Sequence, residues 1–151
     1  MKAKRADQTL QTAVACHQEG RLAEAERLYR SVLALKPRTH LALHNLGVIA
    51  LGKGETDDAI RLIGLSIKAR PDYAAGHANL ALAYEQAGRI EDAVASLGQA
   101  IRLAPGNGGN HFNLANLLRK SGRIEAAEAA YRQALAANPH DAEALAGLGA
   151  V

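Results

Sequence analysis

The chain of 151 residues has no tryptophan, one phenylalanine, four tyrosines and one cysteine. A lone cysteine, Cys16, excludes an internal disulfide and fits a reducing compartment. With so few aromatics, Ala and Leu must carry burial, which suits helix packed on helix more than a sandwich or a barrel. No run of about 18 apolar residues occurs, so no transmembrane helix is expected. Residues 1–5 are basic, but no apolar stretch of the about 7–15 residues found in a signal peptide follows them. Charge of one sign is also missing. The 18 Lys and Arg are interspersed with 15 Asp and Glu, for a net charge of +3. Such a surface is solvated and carries no basic stripe. Neither a nucleic acid nor a membrane is expected as a partner, and the expected location is cytoplasmic.

Catalytic constellations are absent as well. His40 and His44 share the i, i+4 spacing of a metal pair, but zinc needs a third and usually a fourth ligand and none is evident. Cys16 reads as a small core residue, and the neighbouring His17 points away from it on a helix. Residues 106–110 (GNGGN) match a phosphate loop only in glycine content, lacking the Walker spacing and its Lys-Ser/Thr. They read as a turn where local flexibility is expected. The fragment is expected to be no enzyme, with no cofactor and no metal.

What the chain does have is a beat of 34 residues. Gly20, Gly54, Gly88 and Gly122 keep it, as do Pro37, Pro71, Pro105 and Pro139, and Ala25, Ala59, Ala93 and Ala127. A fixed period of this size means a repeat architecture. Counting from the prolines gives repeats at 6–39, 40–73, 74–107 and 108–141, with 142–151 beginning a fifth.

Each repeat reads as two helices. The first spans 7–19, 41–53, 75–87 and 109–121, and stops at the Gly, which takes a left-handed conformation without steric cost. The second spans 22–35, 57–69, 90–103 and 124–137, with acids early and bases late, complementing the helix dipole. Its inward residues are Ala25, Tyr29 and Val32, then Ala59, Ile63 and Ser66, then Ala93, Leu97 and Ala100, then Ala127, Tyr131 and Ala134, with Leu33, Ile67, Ile101 and Leu135 beside them. Pro then blocks continuation. A row of small residues, Ala13, Gly47, Ala81, Ala115 and Gly149, lets antiparallel helices approach closely.

These features resemble the tetratricopeptide repeat. The resemblance rests on Leu46-Gly47, Leu80-Ala81 and Leu114-Ala115, on the periodic Gly and Ala, on Tyr29 and Tyr131, and on the four prolines, and covers essentially the whole chain. It departs where Thr9, Leu43, His77 and His111 stand in an aromatic slot and where Thr12-Ala13 replaces the Leu-Gly pair. The resemblance implies an all-α, right-handed solenoid of antiparallel helix pairs. It would be a single domain over 1–151, with four repeats and a truncated fifth first helix. It also implies that the first helices line a concave groove.

Asn45, Asn79 and Asn113 recur on the same beat, with Gln11 in the first repeat and Gly147 in the fifth. An Asn side chain carries both an acceptor and a donor, so it can pair with the C=O and N–H of an extended peptide together. The row is similar to the asparagine ladder in the repeat domain of O-linked N-acetylglucosamine transferase, as are the strings His44-Asn45-Leu46-Gly47 and His77-Ala78-Asn79-Leu80-Ala81. An alternative is that the Asn residues brace neighbouring helices. His44, Leu82, Phe112 and Asn116 are expected to share the groove, with Arg119 and Lys120 at one rim. The family's other mode grips a C-terminal carboxylate with Lys, Asn and Arg, and the corresponding positions here are Leu10, Val14, Asn45, Ala75 and Asn79. Only Asn45 agrees, so that mode is not expected.

The expectation is therefore a non-catalytic module binding a protein or an extended peptide. It would be the N-terminal part of a larger bacterial protein such as a repeat-containing glycosyltransferase. A scaffold that self-associates through its ends is the alternative. Residues 142–151 start a helix and stop before its Gly turn, with Leu145, Leu148 and Val151 expected to leave an apolar outer side for a second copy.

Overall fold

The computed structural model describes residues 2–151. Among them are nine helices and no strand. They are α1 (Lys2–Gln18), α2 (Leu22–Leu35), α3 (His40–Gly52), α4 (Thr56–Ala69), α5 (Ala74–Gln86), α6 (Ile90–Leu103), α7 (Gly108–Lys120), α8 (Ile124–Ala137) and α9 (Ala142–Gly149). Seven of the expected helices lie within a residue of their bounds. The first starts five residues early, at Lys2, because residues 2–5 contain good helix formers and no breaker.

The periodic glycines end the first helices. Gly20, Gly54, Gly88 and Gly122 hold φ values of 77°, 77°, 73° and 77°, where a Cβ would be strained. After each, the next N–H reaches back five residues: Arg21 to Cys16 O (2.8 Å), Glu55 to Ala50 O (2.9 Å), Arg89 to Tyr84 O (2.8 Å) and Arg123 to Leu118 O (2.9 Å). One Schellman closure is therefore used four times, satisfying carbonyls that the helix end would orphan.

The helices form two compact units, one ending at Asp72 and the other Tyr73–Val151. In the first, α1 packs on α2 and α3 on α4, with α2 against α3. The α3–α4 pair is antiparallel: Ser66 Oγ donates to His40 O (2.8 Å) at one end, while Gly47 meets Ile63 and Ala59 further along. Gly47 is there because nothing larger fits. A Cβ would lie 2.5 Å from Ile63 Cγ1 and 3.2 Å from the Ile63 backbone N. The core joins Ala13, Cys16, Ala25, Tyr29, Val32, Ala42, Leu46 and Ile49.

Glu26 clips this unit together from outside. Its side chain is 14% exposed and bonds Lys53 Nζ (2.7 Å), across the α3–α4 turn, and Arg30 (2.6 Å) on its own helix. The Lys53 hydrogen bond first, and then the Arg30 charge, hold its carboxyl below the usual carboxylate range against the opposing effect of burial. A lowered carboxylate favours the folded state above the unfolded value, and that contribution is lost as pH falls through the folded value. Glu26→Gln should lower stability by about 1 kcal/mol at neutral pH. Urea midpoints of wild type and variant should converge once the pH is well below about 4.

The second unit pairs α5 with α6 and α7 with α8, and seats α6 on α7 and α9 on α8. One cluster joins Ala81, Ala93, Leu97 and Leu117. The other joins Ala115, Leu118, Ala127, Ala130 and Tyr131, and Val94 and Leu114 touch both. Three expectations need correction here. Leu148 and Val151 turn inward and pack on the Tyr131 cluster, so Leu145, 51% exposed, is the large apolar side chain α9 leaves outside. Gly149 contacts nothing that a Cβ would meet, since no following second helix packs on it. The close approach falls on Gly147, where a Cβ would lie 2.4 Å from Tyr131 Cε1. The GNGGN run is not a loose turn either. Asn107 accepts from Asn110 N as the cap of α7, and a Cβ on Gly108 would stand 3.1 Å from Ala137 Cβ.

Candidate functional site

The polar row lies on four first helices: Gln11 on α1, Asn45 on α3, Asn79 on α5 and Asn113 on α7. Gln11 is exposed and the three Asn are half-buried. The side chains of Gln11 and Asn113 form no hydrogen bond among the described residues, whereas that of Asn45 is tethered.

In the first unit Asn45 Nδ2 donates to Tyr29 Oη (2.9 Å), which lies 3.4 Å from His17 Nδ1. The His17 ring stands edge-on to Tyr29 at 6.1 Å and 71°. Tyr29 is fully buried, and burial raises its hydroxyl pKa against the lowering effect of the Asn45 bond, so the group stays protonated and able to donate. Amide, hydroxyl and imidazole thus form one hydrogen-bonded chain. It uses one Asn45 N–H and leaves the second, while Oδ1 accepts from His44 Nδ1 (3.3 Å) with one of its two lone pairs. Val14, His17, Gln18, Tyr29 and Asn45 line a shallow recess of about 230 Å³. His44 does not stand on an open face as expected. It is 6% exposed and packs within α3's buried side.

The second unit repeats the arrangement with different partners. Tyr131 stands 102 residues after Tyr29, three periods on, and is also fully buried. Position 147, which corresponds to Asn45, is a glycine, so Tyr131 turns to its own repeat. Its hydroxyl donates to Asn116 Oδ1 (2.5 Å) and accepts from Arg119 Nε (3.3 Å). Arg119 occupies the slot that His17 holds in the first repeat. Phe112 is half-buried with its ring 6.1 Å from that of Tyr131 at 57°, and Leu82 on α5 is 37% exposed.

The periodicity identified Tyr29 and Tyr131 as packing residues but not as anchors of polar groups. The signal lay in a tyrosine at positions 29 and 131, where the other two repeats hold Ile63 and Leu97, but which amide each tyrosine reaches depends on the tertiary register. The histidines gather no metal set: no group of three or more His, Cys, Asp or Glu sits close enough for one among the described residues. His40 Nε2 instead faces Arg70 Nη1 (3.3 Å), and burial first, then the Arg70 charge, lower its pKa. Cys16 is wholly buried in the core.

Models of the tetratricopeptide repeat match residues 17–67, 44–108 and 84–151. The chain belongs to the tetratricopeptide repeat family. Its all-α helical-repeat fold is the fold of that family, whose role is protein–protein interaction. No curated protein matches the chain in sequence. Among solved structures, a chain of the APC/C Cut9–Hcn1 hetero-tetramer is 24% identical with a TM-score of 0.85 over 94% of this chain. The O-GlcNAc transferase of Thermobaculum terrenum is 25% identical with a TM-score of 0.84 over 89%. YrrB, a tetratricopeptide repeat protein with an unusual peptide-binding site, is 17% identical with a TM-score of 0.82 over 94%. The chain spans 29% of the Cut9–Hcn1 chain and 26% of the transferase, but 73% of YrrB. No helix is long and apolar enough to cross a membrane among the described residues.

Proposed function

We propose that this tetratricopeptide repeat chain binds protein segments in extended conformation through the carboxamides of its first helices. Gln11 and Asn45 serve in the first unit, and Asn79 and Asn113 in the second. The observation that carries the reading is Asn45. Its carboxamide is held by Tyr29 and by His44 Nδ1 at the edge of a surface recess, with one N–H and one carbonyl lone pair still to offer. A fixed amide loses little entropy on pairing with a peptide backbone, and backbone pairing tolerates many sequences. Leu82, Phe112 and Asn116 add apolar and polar contact beside the row. The likeness to YrrB and to the O-GlcNAc transferase is in keeping with this use, and a place at the N-terminal side of a larger bacterial, cytoplasmic protein such as a glycosyltransferase belongs to the same proposal.

The test replaces Asn45, Asn79 and Asn113 together by Ala and measures anisotropy of fluorescein-labelled peptides of mixed sequence. Loss of a hydrogen bond at each site should weaken binding by at least about tenfold in total, with helicity unchanged. Equal affinity in the triple variant would mean that the amides only brace the helices.

Leu145 favours a second reading, self-association through the α9 end. Leu145→Glu is the clean probe, since Leu148 is needed inside. A dimer seen by light scattering that survives the change would rule out that contact.

A further inference from the structure

The two tyrosines meet their amides in opposite senses. In the first unit the Asn45 amide donates into Tyr29 while its carbonyl is bonded to His44 Nδ1. In the second the chain of donation starts at Arg119 Nε, passes through the Tyr131 hydroxyl and ends at Asn116 Oδ1. Asn116 Oδ1 and the Tyr131 oxygen each already accept a hydrogen bond. What remains is donors: the Nδ2 amino group of Asn116 and the terminal Nη groups of Arg119, none of which has a partner among the described residues. Phe112, Asn116 and Arg119 stand at i, i+4 and i+7, one face of α7. The nearby Lys120 is held by Glu85 (2.6 Å), which neutralises that pair and leaves Arg119 as the uncompensated charge.

We infer that the second unit carries a carboxylate subsite, in which Arg119 and Asn116, backed by Tyr131, take a glutamate or aspartate side chain of an extended peptide. Unpaired N–H donors beside a cation favour a ligand with two acceptor oxygens, and a guanidinium fork matches a carboxylate in both spacing and charge. Tyr131 is a positioning residue: its oxygen holds Nε, which turns the Nη edge outward. Phe112 offers an apolar wall for the methylenes of the acidic side chain. The corresponding slot of the first unit holds His17, so a preference for acid belongs to the second unit. These positions differ from those of C-terminal carboxylate capture.

The inference rests on the peptide-binding reading, and its test separates the two. Labelled peptides of mixed sequence are made in pairs that differ in one Glu or the matching Gln, and both are titrated into the full chain. The Glu version should bind about 5- to 10-fold tighter, as a charge-assisted hydrogen bond at an exposed site allows. The gap should narrow with salt. In Arg119→Gln the gap should close, the two versions binding equally. Arg119→Lys should keep part of it, since the charge remains but the fork is lost. Tyr131→Phe should narrow it without altering helicity. Equal binding of both versions, or a gap that survives Arg119→Gln, overturns the subsite while peptide binding stands. If no peptide of either kind binds, the peptide reading falls and takes the subsite with it.

Discussion

Tyr29→Ala is expected to cost about 3–5 kcal/mol, the range for removing a large aromatic side chain from a packed core. Tyr29 is 0% exposed and joins α1, α2 and α3 through Cys16, Ala13, Leu46 and the Asn45 bond. Tyr29→Phe separates ring from hydroxyl. It keeps the packing, removes the oxygen that accepts from Asn45, and should cost about 1 kcal/mol. The two variants also differ in binding. Phe should leave α3 in place but free the Asn45 carboxamide to rotate, weakening peptide affinity by more than stability. Urea unfolding, with hydrogen exchange to place the loss in α1–α3, measures the first effect, and anisotropy the second. A Phe variant with full affinity would show that Asn45 needs no anchor.

Gly47→Leu comes next, at about 1–3 kcal/mol for overpacking. Even the first added carbon meets Ile63 at 2.5 Å, and the backbone of Ile63 and Ala59 stands within 3.3 Å, so rotating a side chain does not relieve the clash. The α3–α4 pair must separate. Gly149→Ala is the control from the same slot. With nothing within 4 Å, it should be neutral or slightly stabilising, since Ala is the better helix former. Thermal midpoints of the two variants check the contrast. A small loss at Gly47 and a large one at Gly149 would contradict the packing described above.

That pair of glycines also shows where reading the sequence reaches its limit. The period told which residues share a slot, and the slot told that helices approach closely there. Gly47 obeys because α4 follows it. Nothing stands near Gly149, and the close contact in α9 falls on Gly147, which faces Tyr131. The same logic moved Leu148 and Val151 inward: their partners belong to the preceding repeat and not to a missing one. The four Gly turns and the inward faces of α2, α4, α6 and α8 were legible because they depend on contacts within one repeat. His44 was not. It was read as facing outward, but the chain buries it at 6% on α3, whose residues are apolar on most sides. The amide row was legible as a period, while its chemistry was not. Whether an Asn gives or takes at a tyrosine depends on partners 15 or 16 residues away, which the helix register decides.

The buried tyrosines have an optical consequence. Without tryptophan, near-ultraviolet absorption and emission come from tyrosine. Each compact unit holds one fully buried ring, Tyr29 in the first and Tyr131 in the second, while Tyr73 and Tyr84 are half-buried. Every unit thus carries its own chromophore, whose hydroxyl is already tied to the polar groups proposed to meet a ligand. With Tyr29 replaced by Phe, the remaining tyrosines, Tyr73, Tyr84 and Tyr131, all lie in the second unit, so melting of that half can be followed by itself in an unlabelled chain.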